Sequence, residues 1–316
     1  MIELELTSRG AQRVRFGISP LEEAMGAMQV ILGRRRHPAY LPWLTTARAR
    51  AGELPIDGLR RVLSGRHYIT DFLSPPPEAP ETTAEWQLAR IRRTPPEQVA
   101  AELAMVDADL GDLADDPVRA RDRLADEMAI VWTELVEGQW PRLRAVLTED
   151  IAYRSRRLAE GGIRLVLADL NPRVRLTGDQ VLIDIRSRSR LRLDRRGLLL
   201  LPGAFAWPGV GVMAVPPWQP SLLYPARGIA RVWSPAREPD RRLAAVLGRT
   251  KAALLASLDE PACTAALAAR LGLAPGTVSA HLTALRDAGI LTSSRNGHEV
   301  RYRRSDLGEG LLVGIG

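Results

Sequence analysis

Cysteine is almost missing from this chain of 316 residues: Cys263 stands alone, which excludes an intrachain disulfide. The four histidines, His37, His67, His281 and His298, make no H-x-x-x-H pair and join no C-x-x-C or C-x-C grouping, so neither a metal site nor a cofactor is expected. Lysine is missing too, apart from Lys251; nearly all the basic side chains are arginine. No run reaches the ~18 uncharged apolar residues of a membrane span. The opening "MIELELTSRGAQRVRF" alternates charged and apolar residues, as a strand does and a secretory signal does not. A cytoplasmic chain with no membrane partner is therefore expected. Also lacking are a nucleophile elbow, a phosphate loop and a convincing acid pair, so no catalytic residue is assigned. The carboxylates of "EWQLARIRRTPPEQ" and "DADLGDLADD" read as solvated helix surface.

The residues that are present suit a globular protein, 46% hydrophobic and 26% charged, long enough for two domains with separate cores. The net charge of +7 invites a nucleic-acid partner. The excess of arginine over lysine is also what a GC-rich coding sequence produces, so the position of the charges has to decide.

"FGISPLEEAMGAMQVIL" reads as a capped helix: Ser19 at the N-cap, Pro20 at the first helical position and Glu22 at the third, followed by Leu21, Met25 and Met28 at helical spacing. "HPAYLPWL" reads as a proline-rich turn. Helix is expected over roughly 95 to 160, with breaks at "ADDP" and "QWPRL". After Gly161 and Gly162, "IRLVLADL", the long segment from "RVRLTGDQ" to "GAFAWP", and "VGVMAVPPW" read as strands. In "IDIRSRSRLRLD", arginines 186, 188, 190 and 192 share one face, which is better explained as a solvated sheet face guarded against edge pairing than as an anion ladder. The glycines of "PGVGVMAV" read as a strand turn. The polar "WSPAREPD" at 233–240 marks a domain boundary. Six aromatic residues, Trp132, Trp140, Phe205, Trp207, Trp218 and Tyr224, either line an apolar effector pocket or pack in the core.

The C-terminal part carries the most information. "DRRLAAVLGRTKAALLASL" reads as a helix or helix pair. "TAALAARLG" follows, with Thr264 as N-cap, Leu267 and Leu271 as the buried stripe, and Gly272 as the stop. Pro275 then opens a second helix, which makes a helix-turn-helix. In that helix Val278, Leu282 and Leu285 face the core. Gly276, Thr277, Ser279, Ala280, His281 and Thr283 present small, hydroxyl-bearing or imidazole side chains that let it approach base edges closely. A hairpin follows. With Asn296-Gly297 as the turn, Ser293 pairs with Val300 and Leu291 with Tyr302, placing Leu291, Val300 and Tyr302 on one face and Thr292, Ser294, Glu299, Arg301 and Arg303 on the other. Arg295 and His298 sit at the tip, where an arginine can reach a minor groove or phosphate.

The ensemble "LGRTKAALLASL … TAALAARLGLAPGTVSAHLTALRDAGILTSSRNGHEVRYRRS", about residues 241 to 306, resembles the ArsR-type winged-helix transcriptional regulators. The resemblance implies a dimeric DNA-binding protein, most often a repressor. It puts Thr277, Ser279 and His281 on the helix that reads the major groove, and Arg295 on the wing. The paired-cysteine box of metal-sensing members is absent from "PACTAALAARL", and the short ending "SDLGEGLLVGIG" leaves no room for a long dimerising helix. Dimerisation is therefore expected to use other surfaces. "RFGISPLEEAMGAMQVIL", "HPAYLPWL" and "LLYPARGIARVW" resemble the long N-terminal domain of uncharacterised function found before some winged helices of this type.

The expected fold class is α+β. A mixed helical and β N-terminal domain spans 1–233 (helical to about 160, β-rich over 161–233) and senses and dimerises; a winged helix-turn-helix spans 234–316. The expected function is a homodimeric regulator of double-stranded DNA that binds an inverted repeat, with a non-metal small-molecule effector. DNA contacts are assigned to Gly276, Thr277, Ser279, Ala280, His281, Thr283, Arg295 and Arg301. An enzyme or a protein-interaction module with a regulatory winged helix is the alternative.

Overall fold

The structure, a computed structural model, describes residues 1–7, 13–65, 68–80, 82–185, 187–193, 196–233, 241–258, 261–296 and 299–313. His67, Arg186, most of the expected boundary at 233–240 and the Gly297-His298 pair lie outside them. The chain makes two compact units: Met1–Trp140 with Asp150–Arg227, and Pro141–Glu149 with Gly228–Gly316. The division after Arg227 precedes the expected boundary.

In the first unit, β1 (Ile2–Leu6) and β2 (Val14–Phe16) precede a helical stretch: α1 (Pro20–Ile31), α2 (Leu41–Glu53), α3 (Asp57–Val62), α4 (Ala84–Arg92), α5 (Pro96–Ala104) and α6 (Pro117–Val131). Side chains cap α1, α4 and α6, the first as the sequence suggests. The Ser19 hydroxyl accepts from the Glu22 N–H at 3.1 Å, and Asp116 accepts from the N–H groups of Val118 and Arg119 at 2.9 and 3.1 Å. "LPWL" is not a turn: Leu41 and Pro42 open α2, because proline is tolerated in a first turn whose N–H groups lack helical partners. A π-turn over Trp132–Val136 and a 3-10 turn over Glu137–Gln139 lead into α7 (Trp140–Ala168), which is broken at Gly161 and Gly162. Gly162 has φ +65° and ψ −166°, a backbone region essentially reserved for glycine. Beyond the break the chain stays helical, so the strand expected at "IRLVLADL" is corrected. Ile163, Val166, Leu167 and Leu170 recur at i, i+3, i+4 and i+7 and pack on the core.

The strands β3 (Val174–Thr177), β4 (Gln180–Ile183), β5 (Ser189–Leu193), β6 (Leu198–Gly203), β7 (Gly211–Met213) and β8 (Ser221–Pro225) join β1 and β2 in two sheets, ordered β3-β4-β1-β5 and β2-β6-β8-β7. In β1, Ile2, Leu4 and Leu6 are buried, and Glu3 and Glu5 turn outward. Across the parallel β1–β5 pair, Arg190 meets Glu3 at 3.5 Å and Arg192 meets Glu5 at 3.3 Å. The arginine face is thus a solvated, charge-paired face on an edge strand. β6 and β8 are buried along their whole length, as fits parallel neighbours covered on both sides.

The second unit holds α8 (Ala230–Trp233), α9 (Arg241–Leu247), α10 (Arg249–Ala256), β9 (Ala262–Cys263), α11 (Thr264–Leu271), α12 (Pro275–Asp287), β10 (Leu291–Asn296), β11 (Glu299–Arg304) and α13 (Asp306–Val313). Its three strands are ordered β10-β11-β9. The core joins Leu254, Leu255, Leu258, Leu267, Leu282, Leu291 and Tyr302, among others, so helices and wing share one hydrophobic cluster.

Candidate nucleic-acid interface and ligand cleft

The helix-turn-helix is built by short-range chemistry. α11 ends at Gly272, which adopts φ +65°, ψ 34°, the left-handed conformation that lets a chain leave a helix sharply. Thr264 is the first helical residue and Cys263 the N-cap, which corrects the expected cap by one position. Pro275 then enters the first turn of α12. Val278, Leu282 and Leu285 are at most 1% exposed, and burial of side chains of this kind contributes about 1.5–3 kcal/mol each. Their insertion fixes which face of α12 looks outward.

On that outward side Gly276, Thr277, Ser279 and Ala280 are exposed, and His281 and Thr283 are half-buried. The N-cap of α12 is Ala274, which makes no side-chain cap hydrogen bond; α2, α3, α5, α10 and α11 share that feature, but α12 combines it with small exposed side chains over its first turns. Uncapped first-turn N–H groups behind small exposed side chains form a surface suited to phosphate oxygens.

The wing departs from the expected pairing. Ser293 faces Tyr302, Arg295 faces Val300 and Asn296 faces Glu299, two residues along from the expected register. A two-residue slide keeps every side chain on its original face, which is why alternation alone does not select between the two registers. Arg295 is exposed near the end of the hairpin. Arg301 is not a surface contact: it is 7% exposed, because the short strand β9 pairs Cys263 with it and covers that part of the wing. Val300, expected inside, is 39% exposed.

The six aromatic residues do not make one pocket. Trp132 and Trp140 stack edge to face at 5.2 Å, Phe205 packs on Trp43 at 4.7 Å, and Trp207 meets His37 at 5.3 Å. The Trp218 indole donates to Glu102 at 2.6 Å, and the Tyr224 hydroxyl donates to Asp150 at 2.8 Å. Each ring has its own packing partner; Phe205, Trp218, Tyr224 and Trp132 are buried, Trp140 is half-buried and Trp207 is 40% exposed.

The first unit instead holds a cleft of about 920 Å³ that none of these rings lines. Its walls include Glu22, Met25, Arg35, Thr70, Asp71, Leu201, Val212 and Leu223. Around it are several buried acids that composition did not reveal. Glu23 accepts from the N–H groups of Ala204 and Phe205 at 2.8 and 3.3 Å, and burial pushes its carboxyl up to about 8. Burial also raises Glu22, against the Ser74 hydrogen bond and Arg35. Glu102 accepts from Tyr68, Phe72, Gln98 and Trp218 at 2.6 to 3.1 Å. A signal existed in the sequence: α1 is apolar or small nearly all round, and charges in the first turn of such a helix go inside with it. Among the described residues no group of three or more histidine, cysteine, aspartate or glutamate side chains is placed to hold a metal ion. None of their helices is long and apolar enough to cross a membrane.

Comparison with known families gives two matches. Residues 110–230 match a family of unknown function (DUF5937), and residues 253–293 match the bacterial regulatory protein, arsR family. No curated protein and no solved structure matches. The second match runs from the end of α10 through β9, α11 and α12 to the start of β10, and includes the helix with the small exposed residues. The chain carries an ArsR-family DNA-binding helix-turn-helix, preceded by a DUF5937 domain, and its C-terminal module is that of a transcription regulator.

Proposed function

We propose that this regulator is a homodimeric repressor that binds an inverted repeat in double-stranded DNA and responds to a small non-metal molecule held by residues 1–233. The observation that carries the DNA contact is the N-terminus of α12, with its Ala274 cap and its exposed Gly276, Thr277, Ser279 and Ala280. Two-fold symmetry puts the half-sites about one helical turn apart. The N-terminal domain supplies the switch and most of the dimer interface. A tenfold release of DNA requires that the effector prefer one state by ~1.4 kcal/mol.

Measuring affinity against salt, on a site selected from random DNA and on random DNA, tests the proposal. Thr277→Ala or His281→Ala costs on the order of 1–3 kcal/mol at the selected site and little elsewhere. Arg295→Ala weakens both and flattens the salt slope. Equal losses on both DNAs for Thr277→Ala would reject the assigned reading helix. A chain whose DNA affinity ignores salt would point to a protein-interaction module.

A further inference from the structure

Two polar atoms in the cleft of the first unit have no hydrogen-bond partner: the Thr70 hydroxyl and Oδ2 of Asp71, on neighbouring residues 1% and 7% exposed. A buried polar atom left in this condition is costly, so a native structure holds it where something else supplies the partner. Asp71 is short of a cation in particular. The charges that act on it are the carboxylates of Glu102 and Glu22, both of its own sign, and a hydrogen bond from the Val215 backbone to its carboxyl offsets them only in part. The nearby guanidinium groups are engaged elsewhere. Arg35 donates to the Phe205 carbonyl at 3.0 Å and faces Glu22 and Glu23, and Arg34 donates to the carbonyls of Ser64 and Gly65. Arg173, the other arginine on the wall, is exposed. Much of the remaining wall is apolar, with Met25, Ile69, Leu201, Val212 and Leu223. The volume is that of a small-molecule site.

We propose that this cleft binds an amphipathic organic cation, whose ammonium group donates to Oδ2 of Asp71 and to the Thr70 hydroxyl while its apolar body lies along Met25, Leu201 and Leu223. The assignment rests on the effector reading above and gives that effector a chemical class. An ammonium ion supplies the missing charge and the missing donors together. A neutral alcohol supplies only a donor, and a carboxylate would add a further negative charge beside Glu22 and Glu102. Burial, with those two carboxylates, pushes the Asp71 carboxyl up to about 8, so cation binding expels a proton near neutral pH. The phenol of Tyr68, Glu22, and the guanidinium groups of Arg34, Arg35 and Arg173 are the other titratable groups on this wall; the Tyr68 hydroxyl accepts from the Asp71 N–H at 3.3 Å.

Calorimetry on the full chain with octylammonium, octanol and octanoate tests the site without DNA. Octylammonium is expected to bind at least tenfold more tightly than the other two. Its affinity should rise about tenfold from pH 7 to pH 9, as a carboxyl near 8 passes from about one-tenth to nine-tenths ionised. Asp71→Asn should abolish that rise, and Thr70→Val, of similar shape, should weaken binding several-fold at every pH. Equal binding of octanoate, or an unchanged affinity in Asp71→Asn, would overturn the proposal. Octylammonium that binds as expected but leaves DNA affinity unchanged would leave the site standing and overturn the effector reading.

Discussion

Replacing Arg154 with methionine is the sharpest test of how the first unit is held together. Arg154 is 1% exposed and donates to Oδ2 of Asp150 at 3.0 Å, from i+4 on the same helix. It also reaches Asp169 at 3.2 Å, and its guanidinium lies 4.6 Å from the centre of the Tyr224 ring. Asp150 accepts in addition from the Tyr224 hydroxyl at 2.8 Å and the Arg227 N–H at 3.1 Å. Burial raises the Asp150 carboxyl, and Arg154 heads the groups that pull it back. Removing one partner of such a pair leaves a buried, uncompensated charge and costs about 3–5 kcal/mol. Tyr224→Phe removes one hydrogen bond to a charged group and should cost about 1.5–3 kcal/mol. In the Arg154→Met/Asp150→Asn double variant the orphaned charge is gone, and most of the first loss should return. Urea denaturation monitored by tryptophan fluorescence reads all three. The Arg154→Met deficit should also shrink in acid, because an Asp150 that is protonated needs no counter-charge. A loss below about 1 kcal/mol for Arg154→Met, or a double variant no more stable than Arg154→Met alone, would refute this account of the network.

Three further outcomes are expected. Gly272→Ala forces a side chain into φ +65° and should destabilise the second unit by about 1–2 kcal/mol in thermal melts, with no loss of charge or contact. Asp71→Asn should change stability little near pH 4 and stabilise the chain progressively up to about pH 8. The sign follows from a carboxyl raised to about 8: the native state holds its proton more tightly, so its contribution is full in acid and is lost as pH rises. Denaturation at several pH values measures this, and a pH-independent difference would contradict it. Cys263→Ser should leave DNA affinity within about twofold and the purified chain free of stoichiometric metal, since a lone thiol does not complete a closed site within one chain. A complex dissolved by chelator and restored by a thiophilic metal would count against that.

The residues themselves determined whatever depends on neighbours within about two turns of chain. Ser19 and Asp116 cap the helices that follow them, Gly272 ends α11, and Val278, Leu282 and Leu285 orient α12, all through contacts between residues close in sequence. The ArsR-like module was legible for that reason. The first unit was legible only in part, because β1 pairs with β4 and β5, more than 170 residues away, and no local pattern states such a pairing. Alternation named the faces of the wing, but two registers two residues apart have the same faces, so the wing's pairing was settled only in the folded structure. Arg301 reads as a surface charge until β9 is laid against it. For the aromatic residues the sequence left a pocket and core packing both open; in the fold each ring has its own partner, and a cleft lies where Thr70, Asp71 and the strand residues Leu201 and Leu223 converge. Burial is a property of the whole fold: a carboxylate is an ordinary solvated group in the sequence, and becomes one short of a cation only when the surrounding chain has taken its water away.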